Sequence, residues 1–154
     1  PHRTGNSVKV FGNKPQLPLI FNGPLILNWT RRIKGLPVPR LDDGALVHNQ
    51  PTDIPRFNRW VKANVTVKGR PEWVFVKLYC HGFFDHDQDA CIGEGAKRFF
   101  SEIIENGEKT GQYKVHFATA REAFNMVSAA IDGKKGVPND FRNYRLKSIM
   151  DGSR

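Results

Sequence analysis

The stretch "WVFVKLYCHGFFDHDQDACIG", Trp73 to Gly93, decides how this chain is read. Its opening alternates as a strand does. One face would carry Trp73, Phe75, Lys77, Tyr79 and His81, the other Val74, Val76, Leu78 and Cys80. The second set is wholly apolar and suits packing under a helix, while the first is large and mixed. It sets Lys77 and His81 on one side, near the strand's carboxyl end. A histidine there suits a general acid, because its unperturbed pKa lies near neutrality; the plain alternative is a histidine that only hydrogen-bonds. His81, Asp85, His86, Asp87 and Asp89 are all metal-capable. Their spacing matches no metal motif, and aspartates ahead of a helix serve first as caps and dipole partners.

Working outward, Asp89 is expected to cap a helix with Ile92, Ala96, Phe99, Phe100, Ile103 and Ile104 inward, stopped by Asn106-Gly107. Tyr113, Val115 and Phe117 alternate with Lys114 and His116, the pattern of a strand. Thr119-Ala-Arg-Glu122 is a capping box opening a further helix, with Phe124, Val127 and Ile131 as its stripe and Asp132-Gly133 as its close. The tail from Asn139 docks at most a short strand or turn. Toward the amino end, Asp53 and Pro55 open a helix with Ile54, Phe57 and Val61 on one side, and "KGRPE" (Lys68 to Glu72) is a turn. Arg31 to Thr52 reads as a long proline-broken loop, Leu17 to Trp29 as two apolar runs split at Asn22-Gly23-Pro24, and Ser7 to Phe11 as a short strand. Strands alternating with helices predict parallel pairing with right-handed crossovers. Active residues would then lie beyond strand carboxyl ends, at Asn28 to Thr30, Cys80 to Asp89 and Ala118 to Glu122.

The chain has 154 residues, 39% hydrophobic, enough for a single α/β domain over residues 1–154. No apolar run approaches the roughly 20 residues of a membrane span. The net charge of +9 attracts anionic partners without naming one, and the basic residues are spread out. Aromatics at core spacing weaken a nucleic-acid reading. Cys80 and Cys91 form no disulfide framework; free thiols favour a reducing compartment, the cytoplasm. No phosphate-binding glycine loop and no nucleophile elbow occurs.

"GRPEWVFVKLYCHG" followed by "YKVHFATAREAFNMVSAAIDGKKGVPNDFRNYRL" resembles the C-terminal half of bacterial polysaccharide deacetylase-like proteins of surface-polysaccharide and O-antigen loci, which share the NodB-homology fold. "FNGPLILNW" is similar to the segment upstream of that half. The resemblance implies part of a distorted (β/α) barrel and hydrolysis of N-acetyl groups on a polysaccharide or sugar substrate. In such enzymes water is activated at a divalent metal, zinc or similar, an aspartate takes its proton, and a late-strand histidine protonates the leaving amine. His81 matches that histidine. Lys77 would contact substrate in the lumen, and Tyr79 stands where relatives carry a second histidine. Arg121 would reach the sugar through charge-assisted bonds, unless it belongs to the helix cap. "RLDDGALVH" looks like the Asp-Asp-Gly of a metal-dependent deacetylase, but the prolines before it make Asp42-Asp43-Gly44 a turn. The family's metal motifs, Asp-Asp and His-x-x-x-His, would lie upstream, making this chain the C-terminal portion of a larger barrel. The alternative is a non-catalytic polysaccharide-binding or scaffolding domain, and a third reading is a basic nucleic-acid-binding protein.

Overall fold

The computed structural model describes residues 2–3, 19–50, 52–81 and 84–148. The elements run β1 (His2–Arg3), β2 (Leu19–Ile20), β3 (Leu25–Asn28), β4 (Arg32–Ile33), β5 (Leu36–Pro37), β6 (Arg40–Asp43), α1 (Ile54–Lys62), β7 (Thr66–Val67) and β8 (Arg70–Val74). Helices α2 (Gln88–Ile92), α3 (Glu94–Thr110) and α4 (Ala120–Ile131) follow, with 3-10 turns at Asp85–Asp87 and Pro138–Phe141. Two compact units emerge, one from Asn22–Val65 with Phe75–Val115, the other from Pro1–Phe21, Thr66–Val74 and His116–Arg154.

The expected parallel sheet of a (β/α) barrel is not what forms. β3–β6, β4–β5 and β7–β8 are antiparallel, two-stranded pairs. Parallel contact among the described residues is confined to β1–β2 and a single bridge between Ala45 and Tyr79. The turns explain this. Lys34 and Gly35, at φ 49° and 81°, join β4 to β5 in two residues, and Gly69 at φ 85° does the same between β7 and β8. Such turns return the chain as hairpins, whereas parallel neighbours need a crossover of a dozen or more residues. The segment read as one loop therefore contains a hairpin and β6.

In the first unit, Leu46, Phe57, Trp60, Phe99 and Ile103 form the core, with Trp60 edge-on to Phe99 at 5.9 Å. Burying side chains of this size stabilises by roughly 2–3 kcal/mol each. Val76 and Leu78 pack against this cluster, so the apolar face read from the alternation holds. The regular strand, however, is displaced: β8 ends at Val74, and the continuation is held by Phe75 N–H to Val65 O (2.8 Å) and Tyr79 N–H to Gly44 O (3.0 Å). Asp53 caps α1 as expected, accepting from the Arg56 amide at 2.8 Å. Asp89 caps nothing expected of it and lies inside α2; Gly93 is the residue that precedes α3. α3 runs through Asn106-Gly107 and ends at Gly111, in the left-handed region at φ 65°. Gly107 serves packing instead, since a Cβ there would meet the Tyr113 carbonyl oxygen at 2.7 Å. Tyr113 lies against Phe57 at 5.2 Å, and residues 113–117 join no strand among the described residues.

The second unit is built on α4, whose residues Asn125 to Ala130 are all buried. Its capping box is complete: Thr119 N–H donates to Glu122 Oε2 at 2.8 Å, and the Glu122 amide donates to Thr119 Oγ1 at 3.3 Å. Arg142 meets Glu122 Oε1 at 2.9 Å. The Thr119 amide first, then Arg142, holds the Glu122 carboxyl down to about 2. Asn125, fully buried, uses both ends of its amide: Nδ2 donates to the carbonyls of Arg142 and Leu146, and Oδ1 accepts the amides of Arg145 and Leu146. Trp73 packs on Phe141 at 5.8 Å, under the Arg70 guanidinium. The reading of Ser7 to Phe11 as a strand falls outside the described residues.

Candidate metal centre

Asp42, Asp43 and Gly44 are not a turn: the two aspartates close β6, with Asp42 enclosed and Asp43 partly exposed. Asp42 is 4% exposed and accepts from Arg56 Nε at 2.9 Å and Arg59 Nε at 2.7 Å. Arg56, 1% exposed, also donates to the carbonyls of Asp43 and Ala45 and to Gln50 Oε1. Asp43 accepts the Ala45 amide at 3.0 Å and the Tyr79 hydroxyl at 2.9 Å. That bond to a carboxylate, with burial behind it, raises the Tyr79 pKa. Prolines before the aspartates pointed to a turn; what overrides them is the buried guanidinium from α1, which needs a charged partner. Gly44 lets the two segments touch, since a Cβ there would stand 2.2 Å from the Lys77 carbonyl oxygen.

From that contact the two segments run together. Tyr79 O accepts the Leu46 amide at 2.8 Å, beside the Ala45–Tyr79 bridge. His48 and His81 thus leave the bridge at the same end. The 3-10 turn Asp85–Asp87 then supplies the remaining groups. Asp87 is buried, and its Oδ1 accepts both the His48 amide and His48 Nδ1, each at 2.8 Å. Its Oδ2 faces His86 Nε2 at 3.7 Å. The His48 amide first, and the His48 ring second, hold the Asp87 carboxyl below its ordinary range. The imidazoles meet edge to face at 4.6 Å, and His86 is braced by stacking on Phe84 at 5.4 Å.

One ligand atom from each of His48, His86 and Asp87 lies within 4.8 Å of the others. Two ligands on a tetrahedral zinc, each about 2.1 Å from it, stand about 3.4 Å apart, so the 2.8 Å His48–Asp87 pair would open slightly and exchange its hydrogen bond for the ion. The histidine side chains are 51% and 59% exposed, leaving the outward side open to solvent. One carboxylate and two imidazoles suit zinc, iron or manganese and leave coordination positions free.

Of the residues predicted from sequence, Lys77 is exposed, Tyr79 holds Asp43, and His81 is exposed with its ring edge-on to Tyr79 at 5.1 Å. Arg121 belongs to the other unit, where its guanidinium donates to the Arg142 carbonyl, Asn143 Oδ1 and the Leu146 carbonyl, and so ties down the tail. His86 and Asp87 were among the metal-capable residues, but His48 was not. The available signal was a repeated pattern: "ALVH" and "LYCH" are both short apolar runs ending in histidine. No family model matches this chain, nor does any curated protein or solved structure.

Proposed function

We propose that this chain is a polysaccharide deacetylase-like domain that binds a divalent metal through His48, His86 and Asp87 and hydrolyses N-acetyl groups of a surface-polysaccharide sugar. The observation that supports it is the ligand set itself. It has the one-carboxylate, two-imidazole composition that the resemblance calls for, reached by a different spacing. When bound, the ion would polarise the acetyl carbonyl as a Lewis acid. Water adds to the acetyl carbon and gives its proton to solvent, the C–N bond breaks, and the chain's own residues fill the remaining roles. Asp87, held ionised by His48, anchors the set, and Phe84 fixes the His86 ring. His81 supplies a proton to the departing amine, and Lys77, exposed two residues before Tyr79, contacts the sugar. The reading does not rest on a barrel.

The test is zinc titration by calorimetry, followed by acetate release from N-acetylated oligosaccharides. Zinc should bind one per chain, and His48→Ala or His86→Ala should weaken it at least tenfold. Binding unchanged in both variants, or absent from the parent, sinks the proposal. A second reading is a non-catalytic polysaccharide-binding domain. It is favoured by Asp42 and Asp43, whose carboxylates are engaged by Arg56, Arg59 and Tyr79 and so do not serve as a base. Zinc binding without acetate release, with glycan binding intact in His81→Ala, would select it.

A further inference from the structure

The β4–β5 hairpin and the outer face of β3–β6 carry apolar side chains that are exposed among the described residues. In the antiparallel register Leu27 stands opposite Leu41, and Ile33 opposite Leu36, next to the turn. All four are exposed, Leu36 by 70%, and so is Trp29 between the two pairs. The other face of β3–β6 is the one that carries buried Asp42, engaged by Arg56 of α1, so the bare face is the outward one. Arg31, Arg32, Lys34 and Arg40 are interleaved with these residues and are exposed too. The sequence has no Asp or Glu before Asp42, and none of the four cations forms an ion pair among the described residues.

We infer that this hairpin docks the protein on an anionic lipid surface, with Ile33, Leu36 and Trp29 entering the headgroup boundary and the surrounding cations meeting lipid phosphates. Charge complementarity selects the occupant. Uncompensated cations around an aliphatic tip suit a negatively charged bilayer, where apolar burial and electrostatic attraction add. A nucleic-acid strand would be met by a platform of stacking rings, and Trp29 is the single aromatic between Leu25 and Asp43. The geometry also fits a peripheral mode of attachment. The turn is tight, with Arg32 donating to the Gly35 carbonyl at 3.0 Å and Val38 N–H to Arg31 O at 2.8 Å, so the tip is presented without an ordering cost on binding. No described helix is long and apolar enough to cross a membrane, and none is required.

The experiment is co-sedimentation of the full chain with phosphatidylglycerol-containing vesicles and with pure phosphatidylcholine vesicles, read also by tryptophan fluorescence against a Trp29→Phe control that leaves Trp60 and Trp73. Binding should require phosphatidylglycerol, fall with added salt and shift Trp29 emission to the blue. Arg31→Ala with Arg32→Ala should lower the partition roughly 25-fold, about fivefold per cation. Ile33→Ser with Leu36→Ser should lower it at least about tenfold. Because these residues are exposed, an unchanged circular dichroism spectrum shows that a loss is local. No binding to phosphatidylglycerol vesicles, or binding indifferent to both double variants, overturns the inference. So does preferential retention on single-stranded DNA that survives Ile33→Ser with Leu36→Ser.

Discussion

Removing Asp42 would leave the Arg56 guanidinium enclosed without its closest carboxylate. Breaking a buried ion pair by deleting one partner costs roughly 3–5 kcal/mol. Here the lower end applies, because Arg56 keeps the carbonyls of Asp43 and Ala45 at 3.1 and 2.8 Å, and Arg59, with its side chain 23% exposed, can turn to solvent. Asp42→Ala should therefore destabilise by about 3 kcal/mol, lowering Tm by roughly 6–12 °C in a chain of this size. Replacing both partners, Asp42→Leu with Arg56→Met, removes the charge together with its counter-charge and should recover at least about half of that loss. Urea denaturation followed by circular dichroism and by tryptophan fluorescence, to which Trp60 under Arg56 at 4.8 Å contributes, measures each corner of the cycle. The same variants are titrated with zinc under native conditions. A loss below about 1 kcal/mol for Asp42→Ala, the range of an exposed pair, would refute the reasoning. So would a double variant that is the plain sum of its parts. A stable Asp42→Ala protein that no longer binds zinc would return Asp42 to the metal.

Three further outcomes follow from contacts elsewhere. Glu122 has its folded pKa depressed from 4.5 to about 2, so its contribution is present above pH 4.5 and is lost as pH falls toward 2. Screened by solvent at this exposed cap, the loss should be on the order of 1 kcal/mol in an acid-unfolding series, and a Glu122→Gln variant that keeps the same pH profile would contradict this. Gly44→Ala places a Cβ 2.2 Å from the Lys77 oxygen and should cost about 2–3 kcal/mol by thermal denaturation; a neutral result would mean that the 44–46 and 77–79 segments separate readily. Burial first, and then the neighbouring Cys80 thiol, raise the Cys91 pKa. Iodoacetamide should accordingly label Cys91 more slowly in the folded than in the unfolded chain, and Cys80→Ser should speed it; equal rates by mass spectrometry would count against the contact.

What could be read in the sequence was local. The Asp53 cap, the Thr119–Glu122 box and the Val76–Leu78 face each depend on residues a few positions apart, and each forms. The pairing of strands was not local. Alternation shows which side of Trp73 to His81 is apolar, yet not whether its partner is parallel, and two-residue turns with positive φ decided for hairpins. The stops of α3 show the same limit: Asn106-Gly107 carries a helix-ending pair, but Tyr113 packs where the Gly107 side chain would be, and the helix continues. At the candidate site, His86 and Asp87 are adjacent in the chain and were visible. His48 is 39 positions from Asp87, and only the segment pairing at Ala45 and Tyr79 brings it there. Buried charge was the hardest to see, since Asp42 and Arg56 both look like surface residues until the fold encloses them.

Asn125 gives the second unit an unusual economy. A peripheral segment is ordinarily fastened by a ladder whose rungs open one after another. Here the backbone groups of Arg142, Arg145 and Leu146 converge on a single amide. The Arg145 and Leu146 amides, both held by the Asn125 Oδ1, should therefore exchange with solvent together, in one opening. That convergence also makes spacing the critical variable. Inserting one residue between Arg142 and Leu146 would displace donors and acceptors from both sides of Asn125 at once, so a change of length there should be poorly tolerated.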